Sequence, residues 1–429
     1  MNFGESQYIF KEFDMMQYKH GFLAGRILLG LLLGALVWML GMPMTVDAIV
    51  IPLLVVTMLF IRVENGVLLA CGIVAALGLG EVGLRILSHS GGARQNYRFD
   101  DQYFRNGHYL ENVDDAMHML HGDISAMDPL APTALREQRD VRFHTDDLGY
   151  RNDRNYAGES VVLVGDSFVA GTDTDQGDIL GNVLRHDFGI PTYSLGFPGN
   201  PNDYIASCAH FLQQKHNDVR FVLFIFEGND LSCSSKERFA HNVDSLSTYD
   251  KLKIRYANHV NKFFRLPQAL FNMAFRITAK RHDADMEPTE VYSIRNTPVG
   301  FYGSYIDAAL FPHCSFNLTD PDKAVMSHVA MMFFIPTKYR TYRQWLPGDS
   351  RVLPEPSSGF ASLQASCDRL GIPAYDLTPV LRQEAERLLS EGRFVFWRDD
   401  THWNGAGIRA AAAFVADKLR PLEPKARSF

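Results

Sequence analysis

Four short stretches of the chain carry residue types that together could form and resolve an acyl ester. Gly165-Asp166-Ser167-Phe168 presents a hydroxyl after a glycine, where a chain leaving a strand can turn sharply into a helix. At a helix start the backbone N–H groups have no intrahelical acceptor. Gly196-Phe197-Pro198-Gly199-Asn200 and Glu227-Gly228-Asn229-Asp230 offer backbone and carboxamide donors. Asp399-Asp400-Thr401-His402-Trp403-Asn404 sets carboxylates beside an imidazole. A hydroxyl nucleophile, a base to take its proton, a carboxylate to orient that base and donors for a developing oxyanion are the parts of nucleophilic ester chemistry. Singly, each stretch reads as a turn or a helix cap. Their placement is what gives them weight.

From Val141 onward, apolar strands alternate with helical stretches. Val161–Val164, Pro191–Leu195, Arg220–Phe226, Val329–Ile335 and Ala374–Leu377 read as strands. Ile179–Phe188, Asp203–Lys215, Ala361–Leu370 and Ala406–Leu419 read as helices. Such alternation implies parallel strands joined by crossover helices, a three-layer α/β/α sandwich. Active sites of these sheets lie at the carboxyl ends of the strands. Three of the four stretches follow a strand directly, and the fourth opens the last helix.

In this order the stretches resemble the four blocks of the SGNH, or GDSL-like, hydrolase and acyltransferase superfamily. The resemblance covers about residues 141–422, with one insertion at about 231–324. It implies an SGNH/flavodoxin-like sheet, Ser167 as nucleophile, His402 as general base, and an oxyanion hole from Ser167, Gly199 and Asn229. Leu148-Gly149-Tyr150-Arg151 and Ile335-Pro336-Thr337-Lys338 also resemble membrane-tethered bacterial members. The Asp-Thr-His-Trp run is similar to relatives of the alginate O-acetyltransferases, where the acid lies two residues before the histidine. That selects Asp400; members with the acid three residues before would select Asp399. Trp403 is a candidate for stacking on a sugar ring or for packing. The activity implied is O-acyl, in particular O-acetyl, transfer on a cell-envelope polysaccharide. A carbohydrate esterase or lipase of the same fold, and an idle binding or assembly subunit, are the alternatives. The chemistry calls for no cofactor.

The remaining composition bounds the setting. Of 429 residues, 42 are Lys or Arg and 49 Asp or Glu, for a net charge of −7, so the basic excess of a nucleic-acid binder is missing. Apolar runs extended by their flanks, Gly21–Gly41, Met42–Ile61 and Gly66–Leu87, each approach the ~20 residues that span a bilayer. Lys11, Lys19 and Arg26 precede the first of them, which predicts a cytoplasmic amino terminus and an outward-facing domain after Leu87. The expectation is residues 1–87 as a segment of about three transmembrane helices in a bacterial inner membrane, 88–140 as a linker, and the catalytic domain in the periplasm. Three spans are few for moving an acyl donor across a bilayer, and the family resemblance leaves room for a separate membrane acyl-transfer partner. Lys251–Arg281 carries eight basic and no acidic residues, suited to a solvated cap or to contact with anionic headgroups or an acidic glycan. His118 and His121 lie near Asp114 and Asp115 but have no firm third ligand, so no metal site is expected. Cys208, Cys233, Cys314 and Cys367 allow up to two disulfides in an oxidising compartment.

Overall fold

The computed structural model of the protein describes residues 78–79, 104–105, 108–109, 111–128, 131–214, 218–231, 288–311 and 323–422. The apolar runs read above as membrane spans lie outside these residues apart from 78–79, as does the basic segment 251–281. No helix among the described residues is long and apolar enough to cross a membrane. The sheet and the site lie in the compact unit formed by Ser88–Ser245 and Ala284–Phe429.

The centre of that unit is a parallel sheet of five strands: β1 (Val161–Val164), β2 (Thr192–Ser194), β3 (Arg220–Phe226), β4 (Val329–Ile335) and β5 (Ala374–Asp376). Their spatial order is β2-β1-β3-β4-β5. Val161 pairs with Thr192 on one side and Arg220 on the other, so β1 is interior and the chain reverses its direction of travel across β1 and β3. In doubly wound sheets a crevice opens at that switch point, beyond the carboxyl ends of the strands.

Strands buried on both faces need apolar residues at every position, and period-2 alternation shares them between two cores. Val161, Leu163, Val222, Phe224, Phe226, Met331, Phe333 and Ile335 face one core. It is completed by α2 (Leu180–His186), α7 (Thr378–Leu389) and α8 (Gly405–Leu419). Val162, Val164, Phe221, Leu223, Ile225, Met332 and Phe334 face the other, covered by α3 (Pro201–Gln213) and α6 (Ser358–Leu370). The α/β/α sandwich expected from the sequence is therefore present.

Two further stretches add structure around that sandwich. The polar stretch read as a linker forms an antiparallel pair, Asp114–Met119 with Arg139–His144. Within the range read as an insertion, Glu290–Ile294 and Thr297–Phe301 form a hairpin followed by α4 (Gly303–Leu310), and Ile294, Val299, Phe301 and Ile306 join the first core. Cys208 and Cys367 are buried free thiols, while Cys233 and Cys314 lie outside the described residues.

Phe224 is fully buried in β3 and stacks on Phe333 of β4 at 5.2 Å. Phe224→Ala leaves a cavity between the central strands and is expected to cost about 3–5 kcal/mol. Denaturant unfolding checks this; a loss below 1 kcal/mol would mean the strands collapse onto the gap.

Candidate active site

Ser167 opens the short helix α1 (Ser167–Ala170) immediately after β1. Asp166 caps that helix by accepting from Phe168 N at 2.9 Å, and Gly171 ends it in the left-handed region at φ 72°. Gly165 is required by crowding: a Cβ there would stand 2.6 Å from Val169 Cγ2 and 3.1 Å from the Phe224 carbonyl oxygen. The turn thus holds Ser167 at the carboxyl end of an interior strand, 7% exposed.

Gly199 and Asn229 follow the strands on either side of β1. A Cβ at Gly199 would meet the Phe197 ring at 2.6 Å. The next residue, Asn200, caps α3 in a reciprocal box with Asp203, and Pro201 fills the first helical position. The Asn229 Oδ1 is buried without a hydrogen-bond partner among the described residues. The Tyr204 hydroxyl stands between the loops, 3.3 Å from Gly199 O and 2.8 Å from Asp230 Oδ1. Burial, with Asp166 nearby, pushes Asp230 well above the usual carboxylate range.

The fourth stretch meets Ser167 across 235 residues of sequence: His402 Nε2 lies 2.7 Å from Ser167 Oγ. His402 Nδ1 lies 2.8 Å from Asp400 Oδ1. Asp399 turns the other way. Its Oδ2 accepts from the amides of Gly122 and Glu137, both at 2.8 Å, and its Oδ1 from Arg139 at 3.1 Å. Of the two acids left open by the sequence, Asp400 is the one on the imidazole. Asn404 caps α8 directly after this loop, accepting from Ala406 and Gly407.

Trp403 requires a correction. Its ring is fully buried, lies edge-on to Phe168 at 5.3 Å, and donates its indole N–H to Phe168 O at 3.3 Å. A ring with no exposed face cannot stack on a sugar; Trp403 packs the nucleophile turn against the histidine loop.

The sequence reading missed the groups that hold the loop. Arg139, from the stretch read as a linker, donates Nη2 to Asp400 Oδ2 at 2.7 Å as well as Nη1 to Asp399. Asp123 accepts from Thr401 N at 2.8 Å, and its own N–H donates to Asp400 Oδ2 at 3.1 Å. Lys338 gives its three ammonium protons to the carbonyls of Trp397, Arg398 and Asp400 at 2.7, 2.9 and 3.1 Å. Its motif was visible in the sequence, but its target was not. Glu227 ties the loops after β3 and β4, accepting from Thr337 N, Arg340 Nε and Ser357 Oγ.

These contacts set the charges. Burial alone would raise Asp400, yet the His402 hydrogen bond and the Arg139 charge hold it well below the carboxylate range. Burial works against a charged His402, but hydrogen bonds to Asp123 and Asp400 outweigh it and raise the imidazole to about 10. Burial lowers Lys338 to about 8, opposed by Asp399, Asp400 and Asp123. Asp123, Asp400 and His402 present donor atoms within 4.8 Å of one another. Arg139 already supplies a positive charge to Asp400, and the Nδ1 proton bridges the rest. His118 and His121 do not converge: His118 pairs with Asp140 on an exposed strand, and His121 bonds the carbonyl of Gly122.

A serine hydroxyl on an imidazole that is backed by a carboxylate stands at the switch point of a parallel sheet, an arrangement whose residue types could support nucleophilic acyl chemistry. Residues 327–428 match the family model of the SGNH hydrolase-like domain of the acetyltransferase AlgX. The matched stretch includes β4, β5 and the histidine loop, and is similar to that domain. The match supports an acyl-transferring or ester-cleaving activity. No curated protein matches the chain.

Two substitutions test the support of the site. Arg139→Met leaves Asp399 and Asp400 buried without their cation and should cost about 3–5 kcal/mol of stability, read from chemical denaturation. A Cβ at Gly122 would lie 2.5 Å from both Arg139 Nη2 and Asp400 Oδ2. Gly122→Ala should therefore force that pair apart and lower the melting temperature; an unshifted melt would show that the loop gives way freely.

Proposed function

We propose that this chain is a membrane-anchored serine O-acyltransferase or esterase whose outward-facing domain acts on O-acetyl esters of a cell-envelope polysaccharide. The observation that carries the chemistry is the unbroken line from Ser167 Oγ through His402 to Asp400, with contacts of 2.7 and 2.8 Å. The family match at residues 327–428 supports the acyl group as cargo.

In the proposed reaction His402 Nε2 takes the Ser167 proton as Oγ attacks the ester carbonyl. Asp400 holds the Nδ1–H and stabilises the imidazolium. The oxyanion is met by the N–H groups of Ser167 and Gly199 and the amide of Asn229. Ser167 N–H, at the first helical position, has no intrahelical acceptor to compete for it. The tetrahedral species collapses, the alcohol leaves with the proton held on Nε2, and the acyl group stays on Ser167. A sugar hydroxyl then repeats the sequence in reverse to take the acyl group; water in its place makes the enzyme an esterase. The membrane setting rests on the three apolar runs before residue 88, and an acyl-transfer partner in the bilayer would supply the donor.

The test is to incubate the protein with p-nitrophenyl acetate and a panel of oligosaccharides, beside Ser167→Ala, and to read the sugars by mass. Acetyl appearing on sugar only with Ser167 intact is the expected result. Acetate alone would make it an esterase, and no serine-dependent turnover would refute the reaction. Asn229→Ala should lower kcat about 10²–10³-fold, the usual loss for one oxyanion donor.

The pH dependence has a definite sign. A base raised to about 10 is protonated at neutral pH, so the neutral, reactive form of His402 grows as pH rises. The rate should climb through neutrality toward about 10. A limb that levels off near the ordinary histidine value of about 6.5 would contradict the charge arrangement.

A further inference from the structure

One charged group beside the Ser167–His402–Asp400 line has no part in the reaction described above. Asp123 is 2% exposed and comes from the stretch between the strands Asp114–Met119 and Arg139–His144. Its Oδ1 accepts from Thr401 N at 2.8 Å and its Oδ2 from Thr401 Oγ1 at 2.5 Å. The same Oδ2 lies 3.4 Å from His402 Nδ1, the nitrogen that faces Asp400. The imidazole edge thus meets two carboxylates, and the Asp123 N–H links them through Asp400 Oδ2 at 3.1 Å.

The buried charges of this cluster come from several elements. Asp399 and Asp400 lie on the His402 loop, Arg139 on the paired strands, Asp173 after α1 and Lys338 on α5 (Lys338–Tyr342). Arg139 is committed to Asp399 and Asp400 and stands 3.9 Å from Asp173. Lys338 is committed to three carbonyls. Asp400 therefore divides its charge between Arg139 and the imidazole. Asp123 stands 3.4 Å from His402, and its charge also acts on Lys338.

We infer that Asp123 is a second positioning carboxylate for the base. It shares the Nδ1 edge with Asp400, fixes Thr401 and so the imidazole plane, and adds a second negative charge that stabilises the imidazolium. The raised proton affinity of His402, to which both Asp123 and Asp400 contribute against burial, agrees with this placement. The consequence for rate rests on the acyl-transfer reading of the site; the pairing itself does not.

The experiment follows the His402 ring directly, in the full-length chain labelled with 13Cε1-histidine and assigned with His402→Gln. Wild type and Asp123→Asn are titrated by NMR. Asn keeps the shape and the Oδ1 acceptor but removes the charge. In wild type His402 should lose its proton well above the ordinary value of about 6.5, and Asp123→Asn should bring that midpoint down by about one to three pH units. The rising limb of the Ser167-dependent rate should move with it to lower pH, with kcat on the high-pH plateau reduced and KM little changed. Superimposable titrations would overturn the inference, and so would a wild-type midpoint near 6.5, which decides the matter even if the variant does not fold. A wild-type chain with the high midpoint but no acyl transfer would refute the reaction and leave the Asp123–His402 pairing standing.

Discussion

His402 is 3% exposed, so the field that sets its charge comes from the protein. Asp123, Asp399 and Asp400 are buried around it, and Arg139, Lys338 and the imidazole itself answer them. Charges taken out of water are tolerable only when paired and hydrogen-bonded. Arg139 lies between Asp399 and Asp400, and Lys338 is held by carbonyls of the same loop. Removing any one member would leave others buried without compensation. The geometry of the base is therefore tied to the stability of the loop that carries it.

The strand-end loops are braced in the same manner. Tyr204 spans the loops after β2 and β3, and Glu227 those after β3 and β4. Lys338, just after β4, reaches the histidine loop. The hairpin strand Thr297–Phe301 adds a bond from Gly300 N to Arg398 O at 2.9 Å, and Ile124 N donates to Asp399 O at 3.2 Å. Five strand ends can hold atoms within a few tenths of an ångström only if the loops between them do not move independently. Here each loop is a hydrogen-bonding partner of the next.

Much of this was legible in the sequence. Val161–Val164 and Arg220–Phe226 are near-continuous apolar runs, as strands buried on both faces must be, and their observed bounds agree. Ser167, Asn229 and His402 stood out because each stands next to such a run or just before the last helix. The start of α3 was read two residues late: Pro201 occupies the first helical position and Asn200 caps it, a signal the apolar pattern does not carry. The hairpin at 290–301 was missed because it falls in a long crossover without strong periodicity. Asp123 and Arg139 were missed for a different reason. They lie in a polar, mixed stretch and meet Asp400 over more than 260 positions, and nothing local marks a carboxylate as the partner of a distant imidazole. Trp403 stayed open between stacking and packing in the sequence, since a tryptophan beside this histidine has the same signature whether it faces a sugar or the core; its full burial places it in the core.

The proposed reaction depends on Ser167 Oγ as the atom that receives the acyl group. Rapid mixing with p-nitrophenyl acetate, acid quenching and peptide mass analysis would read this directly. One acetyl group on the peptide that contains Ser167, missing in Ser167→Ala and no longer accumulating in His402→Ala, is the predicted result. Nitrophenol release with no acetyl on Ser167, or an adduct that survives Ser167→Ala, would contradict it.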